Sequence, residues 1–301
     1  MTEVQNLLQF KVYTAVEKTA ADGHNIFLTL MNFLTKRTKD STPQIEVIDK
    51  RKTRIVFGGH RCIAGRDFCR LDAYAPVPTW GQVKLRIAMA AIHGLKLKAF
   101  DCIAVYLQTP MEKALYVRPS KGLMELHGED KDSVWQLNKD LYGYPVASSL
   151  CHRIFLTYLR KYGFVPLSNS ATFPILRQAS GIIWLNVYSD DGLGANDDET
   201  LWQEVMQDFK SKFELEEKAP DYFLGAGIVQ GDSSAIHLDS SKHVCEMLAK
   251  YDMDSAVRSP LSMPARSLVY MPADDDDIDS KRTKLFPQLI GSILYLLIAA
   301  P

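Results

Sequence analysis

One stretch limits this chain more than any other. Gly181-Ile182-Ile183-Trp184-Leu185-Asn186-Val187-Tyr188 is followed at once by Ser189-Asp190-Asp191-Gly192, and apolar character resumes at Leu193. A short apolar run bounded by turn residues predicts a buried strand, and the resumption beyond the turn predicts a hairpin. The hairpin tip then carries two adjacent carboxylates. An isolated Asp-Asp turn is usually solvated turn chemistry. Here the strand before it anchors the base of the pair in a core, which favours a chemical role.

The rest of the chain supplies the frame. Residues 79–95 read as a helix capped by Thr79 and ended near Gly94, and residues 97–102 as a strand that ends on Asp101. Short strands are expected at 114–117 and 134–137, and helices at 147–162, 198–213, 240–251 and 284–300. Residues 222–229 and 235–238 form a second hairpin around Gly231-Asp232. Residues 36–43 read as a basic turn, with strands at 44–48 and 54–57 making a basic hairpin ended by Gly58-Gly59. Residues 5–35 mix helix-like and strand-like pieces. Pro260, Pro264 and Pro272, with the acidic run at 274–279, mark a loop. Helices interleaved with antiparallel hairpins define an α+β fold.

Charge is divided unevenly. The formal net charge of -1 argues against a nucleic-acid binder, but residues 1–100 hold 16 Lys/Arg against 8 Asp/Glu and the remainder 19 against 28. A basic first third beside an acidic remainder suits a polyanion-facing region next to a metal-binding one. Chance plus one acidic loop is the alternative. The five cysteines form no C-x-x-C pair, so neither a disulfide framework nor a zinc ribbon is expected. No signal peptide is evident. The apolar run at 289–301 is too short for a membrane span, which needs about 20 residues. That run breaks off at the last residue, which predicts a fragment of a longer chain; a final helix packed on the body is the alternative.

Asp101 leaving one strand and Asp190 and Asp191 in a hairpin turn can meet if the strands are neighbours. Oxygen-rich sites of this kind hold Mg²⁺. Paired ions can activate a hydroxyl and stabilise a leaving pyrophosphate.

At these residues the sequence resembles a known family. Tyr188-Ser189-Asp190-Asp191 resembles the Y-x-D-D box of reverse transcriptases, and Asp101-Cys102-Ile103-Ala104-Val105-Tyr106-Leu107 is similar to their D-x-x-x-A-[FY]-L segment. Further matches in the same order point to copia-type LTR retrotransposons. They are Lys52-Thr53-Arg54-Ile55-Val56, Tyr74-Ala75-Pro76-Val77, Leu115-Tyr116-Val117-Arg118-Pro119, Leu141-Tyr142-Gly143, Phe223-Leu224-Gly225 and the segment from Leu289 to Leu296.

The resemblance implies a right-hand polymerase with fingers, palm and a partial thumb, the palm being an antiparallel sheet packed on helices. Fingers would take residues 1–75 and 109–148, palm 76–108 and 149–233, and thumb 234–301. Asp101, Asp190 and Asp191 would bind two Mg²⁺ ions, or Mn²⁺ in their place. Arg54 would contact the incoming triphosphate, with Lys36 or Lys39 as a helper; a solvated strand charge is the alternative for Arg54. Tyr106 would lie under the sugar and select deoxyribose by bulk, or else be a core aromatic. Partners would be an RNA or DNA template-primer, deoxynucleoside triphosphates and other Pol domains of a longer polyprotein. The expected setting is cytoplasmic, in the virus-like particle of an active element, with no membrane contact.

The sequence departs from the family at several points. Val146 stands where a glutamine would contact the nucleotide, Cys151 where a tryptophan is expected, and Gly58 where a basic residue is usual. Ser189 fills a box position where Val or Met is commoner. These losses support a second reading, a decayed relic that at most binds nucleic acid. A palm-fold nucleotidyl cyclase shares the carboxylate hairpin, but the fingers-like motifs before Asp101 disfavour it.

Overall fold

Apolar alternation and the hairpin turns sort the described strands into three sheets. The computed structural model describes residues 3–39, 46–127, 132–166, 172–231, 235–253, 255–257 and 280–299. The chain divides into two units, residues 1–78 with 99–218, and residues 79–98 with 219–301.

The first unit holds two sheets. One contains β1 (Tyr13–Val16), β2 (Ile26–Lys39), β3 (Glu46–Phe57), β5 (Tyr116–Arg118) and β6 (Val134–Leu137), in the spatial order β1-β6-β5-β2-β3. Its pairs are antiparallel except β2 with β5, which run parallel. Phe27, Ile55, Phe57, Val117, Trp135 and Leu141 fill its core, and Tyr13 stacks on Trp135 with ring centroids 3.6 Å apart. Helices α1 (Glu3–Gln9), α3 (Val105–Gln108) and α4 (Lys121–His127) each add a leucine to this core: Leu7, Leu107 and Leu123.

The other sheet carries the carboxylates. It contains β4 (Lys96–Cys102), β7 (Val165–Pro166), β8 (Pro174–Arg177), β9 (Ile182–Tyr188), β10 (Asp191–Asn196) and β11 (Leu215–Lys218), in the order β11-β4-β10-β9-β8-β7. Helices α5 (Ala147–Tyr162) and α6 (Glu199–Lys210) bury one face each against it. Cys151, Phe155 and Leu159 recur every four residues on α5; Trp202, Val205, Met206 and Phe209 follow the three-and-four spacing on α6. Each large side chain buried this way contributes about 2 kcal/mol. Asp198 caps α6 by accepting from the Leu201 N–H at 2.6 Å.

The second unit contains α2 (Trp80–Ile92), a three-stranded sheet of β12 (Tyr222–Phe223), β13 (Ala226–Gln230) and β14 (Ile236–Asp239), and helices α7 (Ser241–Lys250) and α8 (Ser280–Ala299). Thr79 and Gln82 close a capping box on α2. The Gln230 amide accepts from the Leu97 N–H at 2.9 Å and donates to the Leu95 carbonyl at 2.8 Å.

Three expectations change. The strands expected at 44–48 and 54–57 are, from residue 46, one strand, β3, and the basic hairpin is β2 with β3. Residues 36–39 are not a turn: β2 runs to Lys39, because the partner strand β3 offers a continuing ladder that pairs Lys36 with Lys50 and Lys39 with Glu46. A bulge between Lys36 and Arg37 absorbs the register shift. Residues 5–35 resolve into α1, β1 and the start of β2. The proline and acidic loop expected at 260–279 lies outside the described residues, as does Asp232.

Candidate active site

The carboxylate pair sits where the sequence put it. β9 and β10 pair antiparallel with Tyr188 opposite Asp191, leaving Ser189-Asp190 as a two-residue loop. Ser189 takes the left-handed backbone that such a loop requires, with φ 53°. Next in β10, Gly192 lies against the Phe100 ring of β4, and a Cβ there would run into the ring. The Cys102 N–H donates to the Asp190 carbonyl at 2.8 Å. These contacts set β4 beside the turn and bring Asp101 to Asp191.

The other neighbour of β4 is β11, with Glu216 opposite Asp101. Two residues on, the Lys218 ammonium lies 3.5 Å from Asp101 Oδ1 and also donates to Asp191 Oδ1. One cation therefore sits on two carboxylates. Burial raises the Asp101 carboxyl above its ordinary range, Asp191 adds to the rise, and Lys218 opposes it. Burial likewise raises Asp190, its own backbone hydrogen bond opposes this, and the charges of Lys218 and Arg54 pull the same way as that bond. For Lys218 burial works against the charge, but the bonds to Asp191 and Asp101 prevail and hold it above the usual lysine range.

The three aspartates do not gather into one ligand cluster. Among the described residues no group of three or more His, Cys, Asp or Glu side chains is placed to hold a metal ion. Asp101 and Asp191 are close enough to act on each other, and the Lys218 ammonium contacts both. Their chemistry still fits a divalent ion: carboxylate oxygens suit Mg²⁺, and two of them already share a cation.

Of the other expected residues, Tyr106 contacts this turn directly. The Tyr106 hydroxyl is 2.8 Å from Ser189 Oγ and 3.0 Å from Ser148 Oγ. Its ring meets Tyr142 edge-on at 5.1 Å, and the Arg54 guanidinium lies over the other partner in that pair, 5.1 Å from the Tyr142 centroid. Arg54 Nε is buried with no hydrogen-bond partner among the described residues. Arg54 and Tyr106 are thus joined through Tyr142. Lys36 and Lys39 are placed by their β2 register alone.

Apart from Ser189 in the turn, the family departures are buried positions. Val146 and Cys151 are buried apolar residues, one in each main core of the unit. A Cβ at Gly58 would come 2.8 Å from the Leu28 carbonyl oxygen, so a basic side chain does not fit there. Trp135 and Trp184 are buried, as expected of core residues. Sequence reasoning missed Lys218 and Ser148. Lys218 is the lone cation of the acidic stretch Glu214-Leu215-Glu216-Glu217-Lys218, the one signal that marked it. Ser148 had none.

A cleft of ≈ 420 Å³ borders the turn, lined by Tyr74, Pro76, Tyr106, Ser148, Tyr188 and Ser189 among others. No helix among the described residues is long and apolar enough to cross a membrane.

The tip of the β9–β10 hairpin carries Asp190 and Asp191 beside the strand that carries Asp101, and comparison with known proteins bears out the family. The chain belongs to the reverse transcriptase (RNA-dependent DNA polymerase) family, whose profile matches residues 11–265. It is 23% identical over 260 residues to the retrovirus-related Pol polyproteins from transposons RE1 and RE2 of Arabidopsis thaliana, covering 84% of this chain and 17% of each relative. A putative transposon Ty5-1 protein of Saccharomyces cerevisiae is 23% identical over 156 residues, 52% of this chain and 50% of that protein. The chain thus spans about a sixth of the plant relatives' length. Among solved structures, a foamy viral protease-reverse transcriptase bound to double-stranded DNA gives a TM-score of 0.42 at 10% identity, covering 98% of this chain and 40% of that one. Telomerase from Candida albicans gives 0.38 at 10% identity, covering 84% and 53%.

Proposed function

We propose that this chain is the polymerase part of a copia-type retrotransposon Pol polyprotein, extending a primer 3′-hydroxyl on an RNA or DNA template with deoxynucleoside triphosphates. The observation that carries the reading is the meeting of Asp101 with Asp191 at the Asp190-Asp191 turn, on neighbouring strands β4 and β10. In this reading residues 1–75 and 109–148 are fingers, 76–108 and 149–233 palm, and 234–301 a partial thumb.

Asp101, Asp190 and Asp191 would hold two Mg²⁺ or Mn²⁺ ions, which when bound lower the pKa of the attacking hydroxyl and neutralise the leaving pyrophosphate. The chain's own groups do the positioning. The Arg54 guanidinium, fixed against Tyr142, offers a forked donor to a triphosphate oxygen. The Tyr106 ring lies under the sugar. Lys36 and Lys39 add positive charge on the fingers hairpin. Val146 offers the nucleotide no side-chain hydrogen bond.

Primer extension on an RNA template, comparing the wild type with Asp190→Asn, tests this. Mg²⁺-dependent synthesis by the wild type and its loss in the folded variant support the reading; no synthesis by folded wild type overturns it. A second reading, a catalytically decayed relic that binds nucleic acid electrostatically, is favoured by one observation: no three carboxylates converge at the site among the described residues. It predicts salt-sensitive binding without synthesis.

A further inference from the structure

The mechanism above uses the ring of Tyr106 and leaves its hydroxyl without a task. That hydroxyl is the meeting point of three separate pieces of chain. Tyr106 belongs to α3, a four-residue helix entered through Ala104 with φ 47°. Its Oη lies 2.8 Å from Ser189 Oγ, in the turn beside the aspartates, and 3.0 Å from Ser148 Oγ, in the first turn of α5. The phenol and the two serine hydroxyls can each donate one hydrogen and accept others, so all the bonds can form at once.

We propose that Ser148 and Ser189 are positioning residues that pin the tip of the Tyr106 ring, and that this clamp sets how strongly the site refuses a ribonucleotide. The inference rests on the polymerase reading and deepens it. A ring held by packing alone can tilt and make room for a 2′-hydroxyl. A ring tied at its far end to a turn and to a helix cannot tilt without breaking two bonds. The turn is anchored by the buried strands on either side of it, with Ser189 in left-handed backbone at its tip. Ser189 stands at a box position where Val or Met is commoner, and neither of those carries a hydroxyl to hold the phenol. The cleft of ≈ 420 Å³ in front of the three hydroxyls gives the sugar room to approach.

The test is nucleotide binding to the full chain on a template-primer whose 3′ end is a dideoxynucleotide, so that no chemistry intervenes. Dissociation constants are measured for a deoxynucleoside triphosphate and for its ribose counterpart. The variants are Tyr106→Phe, which keeps the ring and removes both bonds, the double variant Ser148→Ala/Ser189→Ala, and the combination of all three. Wild type prefers the deoxy form. Tyr106→Phe and the double serine variant each lose about tenfold of that preference, and combining them loses no more, because they break the same bonds. A preference unchanged in the folded Tyr106→Phe protein overturns the clamp, and so does a wild type without preference. If the wild type also fails to extend an unblocked primer, the polymerase reading falls with it; if it extends primers and the ratio does not move, the clamp alone falls.

Discussion

Asp140 makes this fold sensitive to pH although it is fully buried. It precedes Leu141 in the first core, and its Oδ1 accepts from the Leu141 N–H, at 2.7 Å. Oδ2 has no partner among the described residues. Its titratable neighbours, Tyr144 and Cys151, are both pushed by burial to about 12 and bring no positive charge near neutrality. Burial therefore raises the Asp140 carboxyl from 3.8 to about 7, with the Leu141 bond opposing. Folding then favours the protonated acid. Below the unfolded pKa both states hold the proton and there is no cost; as pH rises toward 7 only the folded state keeps it, and stability falls. The loss amounts to roughly 1.5 kcal/mol at pH 5 and roughly 4 kcal/mol at pH 8. Asp140→Asn keeps the acceptor and the shape but does not titrate. The gain from the substitution should grow by about 2 to 3 kcal/mol between pH 5 and pH 8, whatever fixed cost the amide carries. Urea unfolding of both proteins at the two pH values measures it. An equal difference at both would refute the buried, uncompensated carboxyl.

Three further outcomes follow from contacts already described. Lys218→Met removes the ammonium that competes for Asp101 and Asp191; because the ion pairs are partly exposed, Mn²⁺ affinity measured by electron paramagnetic resonance should rise only about three- to tenfold. Gly192→Ala drives a methyl into the Phe100 ring and should cost about 2 kcal/mol by chemical denaturation; unchanged stability would mean that β4 and β10 are less tightly packed. Thr79→Ala opens the capping box and should cost the second unit about 1 kcal/mol, read as faster hydrogen exchange in α2 with the first unit unaffected.

The hairpin with Asp190 and Asp191 was legible because a long apolar strand and a polar two-residue turn leave one folding choice. Helix α5 was legible end to end, since its apolar spacing is regular and Gly163 stops it. The end of β2 was not: four residues rich in Lys, Arg and Thr look like a turn until the partner strand is known, and ladder pairing overrides local composition. The placement of Asp101 beside Asp191 could only be conditional, because neighbourhood of strands 90 residues apart depends on packing such as Phe100 on Gly192. Lys218 stayed hidden for the same reason: β11 matters through its register with β4, which no local pattern encodes. The departures at Val146 and Gly58 were visible as substitutions, and their burial explains why those residues stand there.

The central claim is that Asp101, Asp190 and Asp191 form a metal-binding polymerase centre, and Mn²⁺ anomalous diffraction from the chain with template-primer and incoming nucleotide tests it most directly. Two peaks touching these carboxylates, with the Lys218 ammonium displaced, are the predicted result. A Lys218 ammonium still seated on Asp101 and Asp191, with no metal peak at the turn, would contradict it.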